Sequence, residues 1–153
     1  GGVSIGAAVT LAWALTNPQH VVGVLAALSA RYTAHQLRTD GLVATTTQMR
    51  ASSPAWLADE LARSWLAQWP DLPDAMEDAA SYVAPSITEL GRLSVPMGVV
   101  GATDDPIHPL EVALEWVAAA PRAALRTVSL DDFGPKPDVL GSACLAALTD
   151  AEG

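Results

Sequence analysis

Ser4 lies in the pentapeptide Gly2-Val3-Ser4-Ile5-Gly6, and the apolar run from Ala7 through Leu15 that follows it reads as a helix. The spacing G-x-S-x-G ahead of a helix is that of a nucleophile elbow, a sharp strand-to-helix turn that pushes the serine hydroxyl out of the fold. Glycines two residues to either side of the serine remove side chains that would collide as the backbone folds back, and the serine itself tends toward positive φ. The helix behind it aims N–H groups and the positive end of its dipole at an anion forming on the serine's substrate. The same five residues also suit a plain glycine-rich packing turn. A serine performs acyl transfer only in company: an imidazole must take its proton and a carboxylate must orient that imidazole. The chain has three histidines, His20, His35 and His108.

The elements that would position these groups are legible as an alternation of strands and helices. The first helix is apolar nearly all round, as suits deep packing against a sheet, and ends at Asn17-Pro18. Val21 to Leu28 is a continuous apolar run that suits a buried parallel strand. Met97 to Val100 reads as a short buried strand. A helix opens at Pro109-Leu110-Glu111 with Leu110, Ala113, Leu114, Val117 and Ala118 on its inward face. Ala124 to Leu130 is a further strand, and a last helix over 137–148 turns Leu140, Ala143, Cys144, Ala147 and Leu148 inward. This order predicts a three-layer α/β fold with a mainly parallel sheet and helices on both faces.

Between Ser29 and about Glu89 the character changes. Polar turns alternate with a tryptophan-rich amphipathic stretch, Trp56 to Trp69, in which Leu57, Leu61, Trp65 and Trp69 recur every fourth residue and share one helical face. These are either ordinary packing anchors or the lining of an acyl pocket, with Trp65 or Trp69 over the serine. The segment 30–89 is accordingly the expected helical lid inserted into a single domain spanning 1–153.

Composition narrows the function. The chain has 153 residues, half of them hydrophobic, which supplies one sizeable core and one domain. A net charge of −9, from 8 basic and 17 acidic residues, argues against a nucleic-acid surface. A single cysteine, Cys144, rules out an internal disulfide and offers no Cys-x-x-Cys metal pair. The apolar stretches are each too short to span a bilayer, and no signal-peptide pattern is read at the start of the chain, so a cytoplasmic location is expected. No cofactor and no metal are expected, and oligomeric state is not readable.

Two blocks carry a resemblance. Gly2 through Ala8, the helix to Leu15 and the segment Asn17 to Leu25 form one. Val95-Pro96-Met97-Gly98-Val99-Val100-Gly101-Ala102-Thr103-Asp104-Asp105-Pro106-Ile107-His108-Pro109 is the other. In order and separation they are similar to the α/β-hydrolase fold family, over nearly the whole chain. The resemblance implies an elbow, helix and following strand in the first block, and the penultimate strand with its acid-bearing loop in the second. It also implies strands ahead of the elbow, so the chain reads as a fragment that starts inside a motif with no strand before the serine.

The family's order of Ser, acid, His makes Ser4 the nucleophile and the Ile5 N–H an oxyanion donor. For the acid, Asp105 matches the Asp-Pro-Ile-x-Pro form, whereas Asp104 matches the count of three past Gly101. Asp105 is preferred, and the unused carboxylate would cap the next helix. The histidine is expected after the last strand, but Asp131-Asp132-Phe133-Gly134-Pro135-Lys136 contains none. His20 and His35 read as surface residues, with a substrate contact open to His35. His108, three residues past Asp105, is either an alternative base or a loop-structuring side chain. Two functions follow: a serine hydrolase of an ester or related carbonyl substrate, of small-molecule size, or a non-catalytic protein of the same fold.

Overall fold

A computed structural model describes residues 1–29, 44, 47, 50, 51, 53–68 and 71–153, apart from some side chains within the helices between 62 and 80. The chain divides into two compact units, one formed by 1–31 with 84–153 and the other by 32–83. The elements of the first are β1 (Gly2–Val3), α1 (Ile5–Thr16), a single 3₁₀ turn (Pro18–His20) and β2 (Val24–Ala27), followed after the second unit by the rest. The second contains α2 (Ala55–Ala67) and α3 (Leu72–Ser81). The first resumes with α4 (Ile87–Leu90), β3 (Met97–Ala102), α5 (Leu110–Ala119), β4 (Ala123–Val128), α6 (Leu130–Phe133) and α7 (Asp138–Glu152). His35 and Trp69, and the side chain of Trp65, lie outside the described residues.

The four strands among the described residues pair in parallel in the order β1-β2-β3-β4. The central strand β3 is buried at all six positions, which explains its unbroken apolar and small-residue sequence. Alternate residues face opposite layers. Met97 and Val99 join Val24 and Ala26 beneath α1, α4 and α5, through Ala7, Leu11, Leu90, Val112, Ala113 and Trp116. On the other face Gly98 lets α7 lie against the sheet, because a Cβ there would come within 2.5 Å of the Leu148 nitrogen and 2.8 Å of the Cys144 oxygen. Helices therefore cover both faces, giving the expected three layers.

Several boundaries and faces move. β2 begins at Val24, where pairing with Met97 starts, and Val22 is almost fully exposed ahead of it. Ser129 and Leu130 leave the last strand because Ser129 caps α6, accepting from the Asp132 N–H while its own N–H donates to the Asp132 carboxylate. On α5 the buried face is Val112, Ala113 and Trp116, and Leu114 is half exposed. The inward face of α7 is as expected, with Cys144 and Ala147 buried. Burial raises the Cys144 thiol pKa, in keeping with a packing role. A strand does precede the serine: Gly2 and Val3 stand opposite Ala26 and Ala27.

Candidate active site

Ser4 ends β1 and caps α1. Its φ of 55° lies in the left-handed region, and its N–H donates to the Ala27 carbonyl at 2.9 Å, which ties the turn to β2. The elbow closes so tightly that a Cβ on Gly2 would sit 2.2 Å from the backbone of Gly6. This close approach is the physical requirement behind Gly2, whereas a Cβ on Gly6 would meet nothing within 4 Å. The Ser4 side chain makes no capping bond to α1, so its hydroxyl is turned to another use. Ile5, as the first residue of α1, has an N–H without an intrahelical acceptor, beside that hydroxyl and at the positive end of the helix.

The loop after β3 supplies the partner. His108 Nε2 is 2.9 Å from Ser4 Oγ, and His108 Nδ1 is 2.7 Å from Asp105 Oδ2. Asp105 Oδ1 accepts from the N–H groups of Ile107 at 2.8 Å and His108 at 3.2 Å. The carboxylate thus wraps its own loop in an Asx-type turn that presents the imidazole. Side-chain exposure is 16% for His108 and 5% for Asp105, so the relay is shielded yet open at the ring. Burial alone would raise the Asp105 pKa. The hydrogen bond and charge of His108, with the two backbone N–H groups, outweigh it and hold the carboxyl below its ordinary value.

An ionised carboxylate at Nδ1 requires a donor there, so in the neutral ring Nε2 is the acceptor facing the serine hydroxyl. The arrangement can take a proton from Ser4 Oγ and keep the resulting imidazolium paired.

The structure therefore brings Ser4, His108 and Asp105 together and leaves Asp104 out of that relay. The Asp104 side chain turns to β4's exit, where Oδ1 accepts from the Leu130 N–H at 2.8 Å. It does meet the first N–H of a helix, but α6 rather than the helix that follows its own loop. Asp131 and Asp132 are exposed, and Asp132 is occupied in the α6 cap. His20 is exposed on its 3₁₀ turn. Sequence reading missed Leu28 and Ser29. Leu28 adopts φ 51° at the exit of β2, and the Ser29 hydroxyl behind it is buried with no partner among the described residues. No residue type signals the strained leucine. Among the described residues no group of three or more His, Cys, Asp or Glu is placed to hold a metal ion, and no helix is long and apolar enough to cross a membrane.

Neither a scan of protein-family models nor a search of curated proteins gives a match. Solved structures do match. An α/β hydrolase, MGS-M2, from a Medee basin deep-sea metagenome library aligns with TM-score 0.67 at 16% identity, over 95% of this chain and 62% of its own. The enol-lactonase from Burkholderia xenovorans LB400 aligns with TM-score 0.66 at 19% identity, over 97% of this chain and 64% of its own. A putative non-heme bromoperoxidase, BpoC, from Mycobacterium tuberculosis H37Rv aligns with TM-score 0.61 at 20% identity, over 99% of this chain and 66% of its own. The chain thus spans a little under two thirds of the length of the structures it matches. With the parallel sheet, the elbow and the two helical layers, these similarities establish the α/β-hydrolase fold.

Proposed function

We propose that this chain, an α/β-hydrolase fold, carries the acyl-transfer centre of a serine hydrolase acting on an ester or related carbonyl compound. The observation that supports this most directly is the unbroken relay from Ser4 Oγ through the His108 ring to the Asp105 carboxylate, at 2.9 and 2.7 Å. In this reading Ser4 Oγ attacks the carbonyl carbon as His108 Nε2 takes the hydroxyl proton. The carbonyl oxygen becomes an oxyanion that receives the Ile5 N–H at the head of α1. Collapse breaks the bond to the leaving alcohol, which takes the proton from Nε2 and departs. Water then attacks the acyl-serine carbonyl, again giving a proton to Nε2. The acid forms as Ser4 Oγ leaves and recovers that proton. Asp105 stays ionised throughout, because its pKa is held low.

The proposed base is His108, on the same loop as the acid, and a small-molecule substrate suits it. The net charge of −9 is unfavourable to nucleic acid, and the lone cysteine suits a cytoplasmic setting. The test is hydrolysis of short-chain nitrophenyl esters by the intact protein, with labelling by a fluorophosphonate probe. Turnover and labelling both abolished in Ser4→Ala, with labelling slowed in His108→Ala, are expected. Turnover indifferent to Ser4→Ala would leave the fold without this chemistry and favour a non-catalytic role.

A further inference from the structure

Two adjacent carboxylates follow the bend at the exit of β3 and take different partners. Asp105 goes to His108, and Asp104 goes to Leu130. The sheet's own bonding ends just before them. Ala102 stands opposite Val128 in the β3–β4 register, and the Thr103 N–H donates to the Val128 carbonyl at 2.9 Å. The next attachment is made by the Asp104 side chain, whose Oδ1 takes the Leu130 N–H at 2.8 Å.

The far side of this bond is well fixed. Leu130 is 2% exposed, and the residues around it are held by the reciprocal cap of Ser129 and Asp132. The near side is held differently. Asp105 is buried, and its bonds to Ile107 and His108 are internal to the loop. Among the described residues, apart from the contact of His108 Nε2 with Ser4 Oγ itself, the bond from Asp104 to Leu130 is the side-chain hydrogen bond that ties residues 104–108 to another element.

From this we infer that Asp104 is a positioning residue: by clasping the Leu130 N–H it sets the height of the Asp105–His108 pair above the sheet and so the reach from Nε2 to Ser4 Oγ. The inference rests on the hydrolase reading given above. The role needs an acceptor oxygen at that place and no charge. That separates it from the role of an acid, which acts through its charge.

The test uses the intact protein, with Asp104→Ala, Asp104→Asn and Asp105→Asn assayed on a short-chain nitrophenyl ester. In each variant the His108 Nδ1 proton is also followed by NMR. Asp104→Ala is expected to lower kcat by about 10- to 100-fold with KM within about twofold, the scale of loss that an ångström of misplacement brings. Asp104→Asn keeps a carbonyl oxygen in place and is expected to restore kcat to within about threefold of the parent, whereas Asp105→Asn is not rescued. In Asp104→Ala the Nδ1 proton resonance is expected to broaden or move, and in Asp104→Asn to stay.

Should Asp104→Ala fail to fold, Asp104→Ser, whose hydroxyl is too short to reach Leu130, takes its place with the same expected fall. Parent-level kcat and an unmoved resonance in the Ala or Ser variant would overturn the inference. So would an Asn variant as impaired as Ala, since charge would then be the operative property. If the parent shows no turnover at all the hydrolase reading fails, and the Nδ1 resonance still decides whether Asp104 sets the imidazole.

Discussion

The loops that leave β3 and β4 stand side by side on one rim of the sheet, and they have opposite characters. The first, 103–109, concentrates polar function: one carboxylate tethers it, the other orients an imidazole, and the imidazole reaches the serine. The second, 129–137, pairs Ser129 and Asp132 with each other in the capping box that starts α6, and gives the Leu130 N–H to Asp104 of the first. The family resemblance assigns the histidine to the second loop. In this chain residues 131–136 hold none, and the ring hydrogen-bonded to Ser4, that of His108, lies on the loop of Asp105. What matters for such a relay is where the ring nitrogen arrives at the rim.

The largest effects expected are those that remove the serine or the imidazole. Ser4→Ala and His108→Ala should each lower kcat by about four to six powers of ten, and the double variant should fall little further, because residues acting as a unit are not additive. A His108→Ala protein with parent-level turnover would return the base to another part of the molecule and erase the contrast between the loops.

Asp105→Asn comes next, with kcat reduced by about 10³- to 10⁴-fold in single-turnover or steady-state assay, since the amide no longer enforces the productive tautomer. Asp132→Ala probes the second loop. It should lower stability in urea unfolding by about 0.5–2 kcal/mol through loss of half a helix cap, and lower kcat less than Asp104→Ala does, because the cap holds the Leu130 end of the Asp104 bond only indirectly. A fall in kcat as large as that of His108→Ala would show that the second loop does more than hold Leu130.

The smallest effect is on acid stability. The Asp105 pKa is lower folded than unfolded, so as pH falls the unfolded chain takes up its proton first. The stabilisation is complete above the unfolded value, about 3.9, and is lost as pH falls from there through the folded value. Urea midpoints below about pH 4 should therefore decline less steeply in Asp105→Asn than in the parent. An unchanged slope would mean that His108 does not pair with this carboxylate.

The elbow, the parallel strands and the three layers were legible in the sequence because each is imposed locally. Gly2 is required by the backbone of residue 6 against it, and a strand buried on both faces announces itself as an unbroken apolar run. Leu114 shows where a local pattern runs out. Two apolar stripes compete on α5, and the sheet, with α4, selects the one containing Val112 and Trp116.

The site was half legible for a related reason. Ser4, Asp105 and His108 are all visible as residue types at suggestive spacings. The choice between Asp104 and Asp105 depends on which of two consecutive side chains faces the serine, and one residue of register reverses the answer. The same is true of the expectation that the histidine follows β4, which no property of residues 131–136 could replace with His108.

Within the relay, Asp105 and His108 are three residues apart, whereas His108 and Ser4 are separated by 104. The acid–base pair is therefore made by a turn that can form within its own heptapeptide. Only the serine must be brought from the far end of the chain, across the single intervening strand β2. Closing that long contour carries most of the site's ordering entropy, and the docking of β1 and β2 beside β3 is the event that closes it. During refolding, recovered activity would keep time with sheet assembly, while the spectroscopic signature of the imidazole–carboxylate pair would arrive earlier.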